Sequence, residues 1–318
     1  MTTVALTSFR QQALTFRHQQ PLVSVLAWEI RRFRTSRRFW LQALGFFCLV
    51  LALMWYGQMP AQFSTPTASG SVDGTSAWGL LLTIPIDAML LVLFLPFMNA
   101  DGVTRDLSRR THELLMTTAL PNWAYIWGRY LAGLLISLGM AALLLVAILG
   151  MGWLLSLTTP AYPAPNVGAV LLLWGGMVVP AVVLVSNVSF VLGTLFPRRA
   201  NLVKIVILVM WIVAAVILPD LVSRPAAHSS FPAWYMNWDP TSRTTAIGMF
   251  PQYQTSFDAL SHTATTSAQL QNLVLSIENK MPDVSAWLAP HLIETLLSLL
   301  LVVVAMFAFR RFRTAFEA

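Results

Sequence analysis

The sequence predicts an all-α polytopic integral membrane protein with six transmembrane helices, and three observations carry that reading. Six long apolar runs cross the chain: Phe39–Tyr56, Trp78–Phe97, Tyr130–Leu157, Val167–Phe196, Ile205–Pro219 and Trp287–Phe309. A helix needs about 20 mostly apolar residues to cross a hydrocarbon core of about 30 Å. Apolar residues make up 57% of the chain and charged residues 10%, against about 25% charged in soluble domains. The runs are continuously apolar rather than alternating, so helices, not barrel strands, satisfy the backbone inside lipid.

Residues 1–38 form a cytoplasmic leader. Its second half carries Leu22, Val25, Leu26, Ile30 and Phe33 at helical spacing beside Arg31, Arg32, Arg34, Arg37 and Arg38. That pattern predicts an interfacial helix with its apolar stripe in the membrane and its arginines on phosphates. Residues 39–309 form the six-helix domain. The link Gln58–Ala77 is rich in Ser, Thr, Pro and Gly and is expected to be irregular. The loop 99–126 holds a short amphipathic helix around Leu107, Thr111, Leu114 and Leu115, which ends before Pro121-Asn122. Three prolines in Thr158–Asn166 make a tight hairpin of the third and fourth runs. The fifth run reaches spanning length when Ala200–Lys204 is its first turn, with Lys204 snorkelling to the headgroups. Pro85, Pro96 and Pro180 interrupt membrane helices and are candidate kinks. The segment 220–286 is large enough for a small subdomain. Trp234, Tyr235 and Trp238 suit a membrane interface there, and Leu270, Leu273, Val274, Ile277 and Met281 mark an amphipathic helix. A basic tail, 310–318, closes the chain.

Charge sets the orientation. Of 20 Lys and Arg residues, the N-terminal segment holds seven, the second gap four, the fourth gap three and the tail three. The remaining gaps hold only Arg224, Arg243 and Lys280. The positive-inside rule then places both termini in the cytoplasm. The net charge of +7 is explained by anionic lipid heads, each basic group contributing about 1 kcal/mol near the surface, and calls for no nucleic acid. The single cysteine, Cys48, lies within the first run, so no intrachain disulfide forms. The polar first twenty residues do not resemble a cleaved signal. Together these features fit a bacterial inner (cytoplasmic) membrane.

Several chemistries are missing from the sequence. No Gly-Lys pair occurs, so no P-loop is present to cradle phosphates. There is no His-Glu-x-x-His, no cysteine pair and no Gly-x-Ser-x-Gly elbow, so neither a catalytic nor a metal centre is expected. Two carboxylates, Asp87 and Glu294, fall within membrane runs, and His291 lies one turn before Glu294. A centred carboxylate costs about 2.5–3.5 kcal/mol on insertion scales, so it faces a partner or a wet cavity unless it reaches the surface. Asp87, Asn187 and Glu294 are therefore candidate lining of a translocation path. The alternative for Asp87, His291 and Glu294 is a near-surface position within two or three turns of the outer face. For Ser186, Asn187 and Ser189 it is hydrogen bonding between helices.

The most specific stretch is the second cytoplasmic gap. It contains Thr111-His112-Glu113-Leu114-Leu115, then Thr118-Ala119-Leu120-Pro121, then Trp127-Gly128-Arg129. These residues resemble the permease subunits of ABC-2 type exporters, which carry an acidic-basic stretch, a Thr-x-Glu-Leu-Leu core and a Thr-x-Leu turn into the third helix. Arg110 stands where that family usually has glycine. The outer Asn237-Trp238-Asp239-Pro240-Thr241 is similar to an Asn-Pro-x-Thr segment of the family, with two residues inserted. Six helices, cytoplasmic termini and a larger outer segment before the last helix extend the resemblance over most of the chain.

The resemblance implies a mechanism. Two permeases pair, as identical copies or as sister chains, and two separate ATPase subunits that bind ATP and Mg²⁺ dock beneath them. The helix around Arg105–Met116 acts as a coupling helix through Arg105, Asp106, Arg109, Arg110, Thr111, Glu113 and Leu114. This chain is expected to hydrolyse nothing itself; apart from the resemblance, its apolar helices with few polar residues suit an amphipathic or lipid-like cargo moved outward. Rival readings are a proton- or ion-coupled secondary transporter using Asp87 or Glu294, an intramembrane enzyme centred on His291 and Glu294, and a sensor or scaffold built on the outer segment.

Overall fold

A computed structural model describes residues 21–63, 76–101, 120–158, 164–223, 233–263, 265–281 and 283–308. Among them there is no strand. Helix α1 spans Pro21–Thr35, α2 Arg37–Phe63, α3 Ala77–Asn99 and α4 Asn122–Thr158. Helix α5 runs Val167–Leu173, passes through a π-turn at Trp174–Val178 and continues Val179–Leu195. Helix α6 repeats that form: Ala200–Ile212, a π-turn at Val213–Ile217, then Leu218–Ser223. Short α7 (Ala233–Asn237), α8 (Arg243–Ser261) and α9 (Ser267–Glu278) precede α10 (Ser285–Ala308). Six of these helices, α2 to α6 and α10, are long and apolar enough to cross a membrane. The protein is a multi-pass, all-helical membrane protein.

Its core is a row of helices running in one direction. Helices α3, α5 and α10 are alternate crossings, with α5 packed between the other two and against α4. Small residues bring the backbones together. A Cβ on Gly193 would collide with the Ala100 carbonyl, and one on Gly133 with Asn99 Oδ1. Such close approach is how membrane helices gain packing energy when lipid is as apolar as they are. Apolar residues on α6 and α10, among them Ile205, Val209, Leu296 and Leu300, stay exposed on the outside of the bundle, as lipid-facing positions do.

Several sequence expectations change. Helix α2 continues through the first six residues of the link expected to be irregular, since Gln58, Met59, Ala61 and Gln62 are good helix formers. Helix α3 opens on Ser76, whose hydroxyl accepts from the Gly79 N–H at 3.0 Å. The helix carrying the third run starts eight residues early, at Asn122, directly after Pro121. Its 37 residues extend about 55 Å at 1.5 Å per residue, well beyond the hydrocarbon. Pro85 and Pro96 lie inside an unbroken α3 rather than interrupting it. Lys204 does not snorkel: it is 7% exposed, and its Nζ lies 2.6 Å from the Asp101 carboxylate and 3.4 Å from Asn201 Oδ1. The charge is met locally, at the end of α3.

Helix α1 forms where the apolar spacing predicts it, and it packs on the projecting start of α4. Gly128 makes room: a Cβ there would sit 2.7 Å from Val25 Cβ. Beside it, buried Glu29 pairs with Arg32 and, at 3.4 Å, with the Arg129 Nε. The Arg129 guanidinium also lies over the Tyr125 ring, 4.6 Å from its centroid. Arg32 is thus held by Glu29, while Arg31, Arg34, Arg37 and Arg38 remain exposed. Removing one partner of a buried ion pair strands the other charge and costs about 3–5 kcal/mol. Glu29→Ala is therefore expected to lower the thermal midpoint of the detergent-solubilised protein clearly. Glu29→Met combined with Arg129→Met should recover most of that loss.

Candidate functional site

Polar side chains within the bundle gather on α5 at two levels. At the end where α3 finishes, Asn99 Nδ2 lies 3.1 Å from the Leu95 carbonyl, 3.0 Å from Ser137 Oγ and 3.3 Å from Ser186 Oγ. That tie joins α3, α4 and α5 beside the Asp101–Lys204 pair. At the same level, Tyr130 donates to Oδ1 of the adjacent residue, Asn187, at 2.8 Å, and Asn187 Nδ2 donates to Ser298 Oγ at 2.8 Å. This second tie joins α4, α5 and α10. Asn187 is fully buried, and both ends of its amide are engaged by neighbouring helices. Neutral amides and hydroxyls suit this work, since they satisfy each other without the desolvation cost of a charge.

The second level is built around a proline. Pro180 has no N–H, so the turn before it lacks one α-helical donor. The π-turn Trp174–Val178 lies just upstream, and His291 Nδ1 lies 3.0 Å from the Gly176 carbonyl oxygen. Neighbouring helices commonly re-satisfy groups freed by proline in membranes. Gly176 has no side chain for a reason visible here: a Cβ would meet the Trp287 ring at 2.9 Å. The other ring nitrogen, Nε2, lies 3.1 Å from the Asp239 carbonyl oxygen. His291 is 1% exposed and lies within two turns of the start of α10 at Ser285, near that end of the helix in position but closed to water.

Asp239 organises the segment between α6 and α10. Its carboxylate accepts from the Thr241 N–H at 3.0 Å and the Thr244 N–H at 2.7 Å, and from both threonine hydroxyls at 2.7–2.9 Å. These bonds cap the start of α8, an anion placed where unpaired helix N–H groups need acceptors. The turn requires Ser242 at φ 60°. Around it, burial and the Asp239 charge push the Tyr235 phenol above its ordinary range. Burial lowers Arg243, with Asp239 acting in the opposite sense. Trp234 and Trp238 remain exposed. Beyond the cap, α8 and α9 cover the start of α3: Tyr253 packs against Trp78 and donates to buried Glu278 at 3.3 Å.

Asp87 sits apart from these ties. Asn99 meets Ser186 and Ala100 meets Gly193; counting back along the parallel pair sets Asp87 level with residues 174–180, the π-turn and Pro180. It is 3% exposed, and its Oδ2 has no hydrogen-bond partner among the described residues. It is closed to water, ten residues from the start of α3. Glu294 is half-buried on α10, one turn beyond His291. The structure does not bring Asp87, Asn187 and Glu294 into one cluster joined by hydrogen bonds. Arg105, Asp106, Arg109, Arg110, Thr111, Glu113 and Leu114 lie outside the described residues.

Sequence reasoning missed Asn99, Asp101, Glu29 and Asp239 as partners. The last three were visible as acids beside apolar runs or basic clusters, but their partners lie on distant segments. No protein-family model matches the chain, and a comparison with curated proteins finds no match.

Asn187→Leu removes an interhelical tie and leaves the Tyr130 and Ser298 hydroxyls without it. Interhelical hydrogen bonds in membranes contribute about 0.6–1.7 kcal/mol each. The variant should fold with a modestly lowered thermal midpoint in lipid discs, and Tyr130→Phe should lower it by less.

Proposed function

We propose that this chain is the membrane-spanning permease subunit of an ATP-binding cassette exporter, moving an amphipathic or lipid-like cargo outward. The observation that carries the reading is the Thr111-His112-Glu113-Leu114-Leu115 stretch between α3 and α4. Two features of the structure support it mechanically. The end of α3 is tied to α4, α5 and α6 through Asn99 and Asp101. The start of α4 carries α1 through Gly128 and the Glu29–Arg129 pair. A partner pressing on the intervening segment acts on both helices, and through them on α5.

In this reading Arg105, Asp106, Arg109, Arg110, Thr111, Glu113 and Leu114 meet a soluble ATPase subunit, which holds ATP and Mg²⁺. This chain has no P-loop of its own. A second permease, identical or sister, completes the membrane unit in the inner membrane. Pull-down in mild detergent is expected to retain a stoichiometric P-loop protein. Glu113→Ala should release it or uncouple its ATPase from transport. A Glu113→Ala variant with full ATPase stimulation and full transport would remove the coupling role.

A secondary transporter is the second reading, and one observation favours it: the Asp87 carboxylate, buried midway along α3 with an oxygen unpartnered among the described residues. Asp87→Asn separates the two. It should abolish proton- or ion-driven uptake into proteoliposomes if Asp87 carries the coupling ion, and leave ATP-driven export largely intact otherwise.

A further inference from the structure

We infer that His291 is a proton-operated latch fastening the outer turn Asn237–Thr244 to the π-turn of α5. The inference is independent of what the protein transports. Both ring nitrogens face carbonyl oxygens, Nδ1 toward Gly176 at 3.0 Å and Nε2 toward Asp239 at 3.1 Å. Carbonyl oxygens only accept. A neutral imidazole has one N–H and one lone pair, whereas the imidazolium has two N–H groups. Only the charged ring therefore donates to both elements. The neutral ring sets a lone pair against an oxygen at about hydrogen-bond distance, and one end must part.

The two carbonyls are not equivalent, so the geometry also says which end parts. Asp239 O already accepts from the Ser242 N–H at 2.9 Å. The turn containing Gly176 has lost a donor to Pro180, and Trp287 holds the same face of α10 against Gly176. The neutral ring keeps its single N–H on Gly176 and releases Asp239.

The charges around the ring are few. On its own helix, Glu294 lies one turn on. The outer segment brings Asp239, whose carboxylate is occupied by Thr241 and Thr244, with Tyr235 on α7 and Arg243 at the start of α8. Helix α5 has no ionisable side chain from Val167 to Leu195, and Asp87 on α3 is level with the π-turn. Burial opposes the imidazolium, and the two carbonyl oxygens and the Asp239 carboxylate favour it. Protonation thus closes the outer turn onto the membrane helices, and deprotonation frees it.

The test places a spin label at Trp238→Cys, an exposed position beside Asp239, in a Cys48→Ala background, with the protein in lipid discs. Label mobility is followed from about pH 5 to about pH 9, a window spanning ordinary histidine titration. The mobile component should grow from minority to majority as pH rises, along one histidine-like curve. In His291→Gln the curve should vanish. The unsubstituted protein gives a second readout through ¹⁵N-labelled histidine, the His291 signals being those missing in His291→Gln. Two protonated ring nitrogens at low pH and one at high pH support the latch. A ring with a single protonated nitrogen throughout, mobility that does not change with pH, or an unchanged curve in His291→Gln would each overturn it.

Discussion

A backbone carbonyl without a donor costs several kcal/mol in hydrocarbon, and that constraint shapes the bundle around α5. Pro180 removes a donor in one of the two most enclosed membrane helices among the described residues. The π-turn, the absent side chain at Gly176, the Trp287 contact and the His291 imidazole form one connected answer to that loss. The contact between α5 and α10 consequently has a fixed register, since His291 meets Gly176 while Asn187 meets Ser298 further along the parallel pair. Helix α6 repeats the device, with a π-turn at Val213–Ile217 just before Pro219.

Charge is handled differently at the two ends. Where α3 finishes, acids and bases pair across helices, Asp101 with Lys204 and Glu29 with Arg129. Ion pairs of this kind hold helices in place without exposing charge to lipid. At the opposite end the main acid, Asp239, is satisfied by amides and hydroxyls of its own turn, which leaves its carbonyl to meet the membrane helices. One end is therefore braced by electrostatics between segments. The other is a cap joined to the bundle through the imidazole of His291 and through core packing that includes Met249, Ile277 and Tyr253 on Trp78.

The number and order of the membrane-crossing helices were determined by the sequence itself, because apolar run length in a bilayer permits little else. The arginine-rich α1 was equally legible, since helical spacing is a local property. Its docking was not: Gly128 and Arg129 read only as a short motif, and Glu29 gave no sign that it was half of a buried pair. Asp87 could be recognised as a membrane carboxylate, but its depth beside the π-turn follows from how α3 and α5 are staggered. Lys204 was assigned to the headgroups because snorkelling needs only its own chain, whereas pairing needs Asp101, 103 residues earlier. Local periodicity and hydrophobicity are written in adjacent residues and survive in the sequence. Hydrogen bonds and ion pairs between helices depend on rotation and stagger, which side-chain packing decides only when the bundle closes, and so the partners of Glu29, Lys204, Asn187 and His291 belong to the tertiary structure alone.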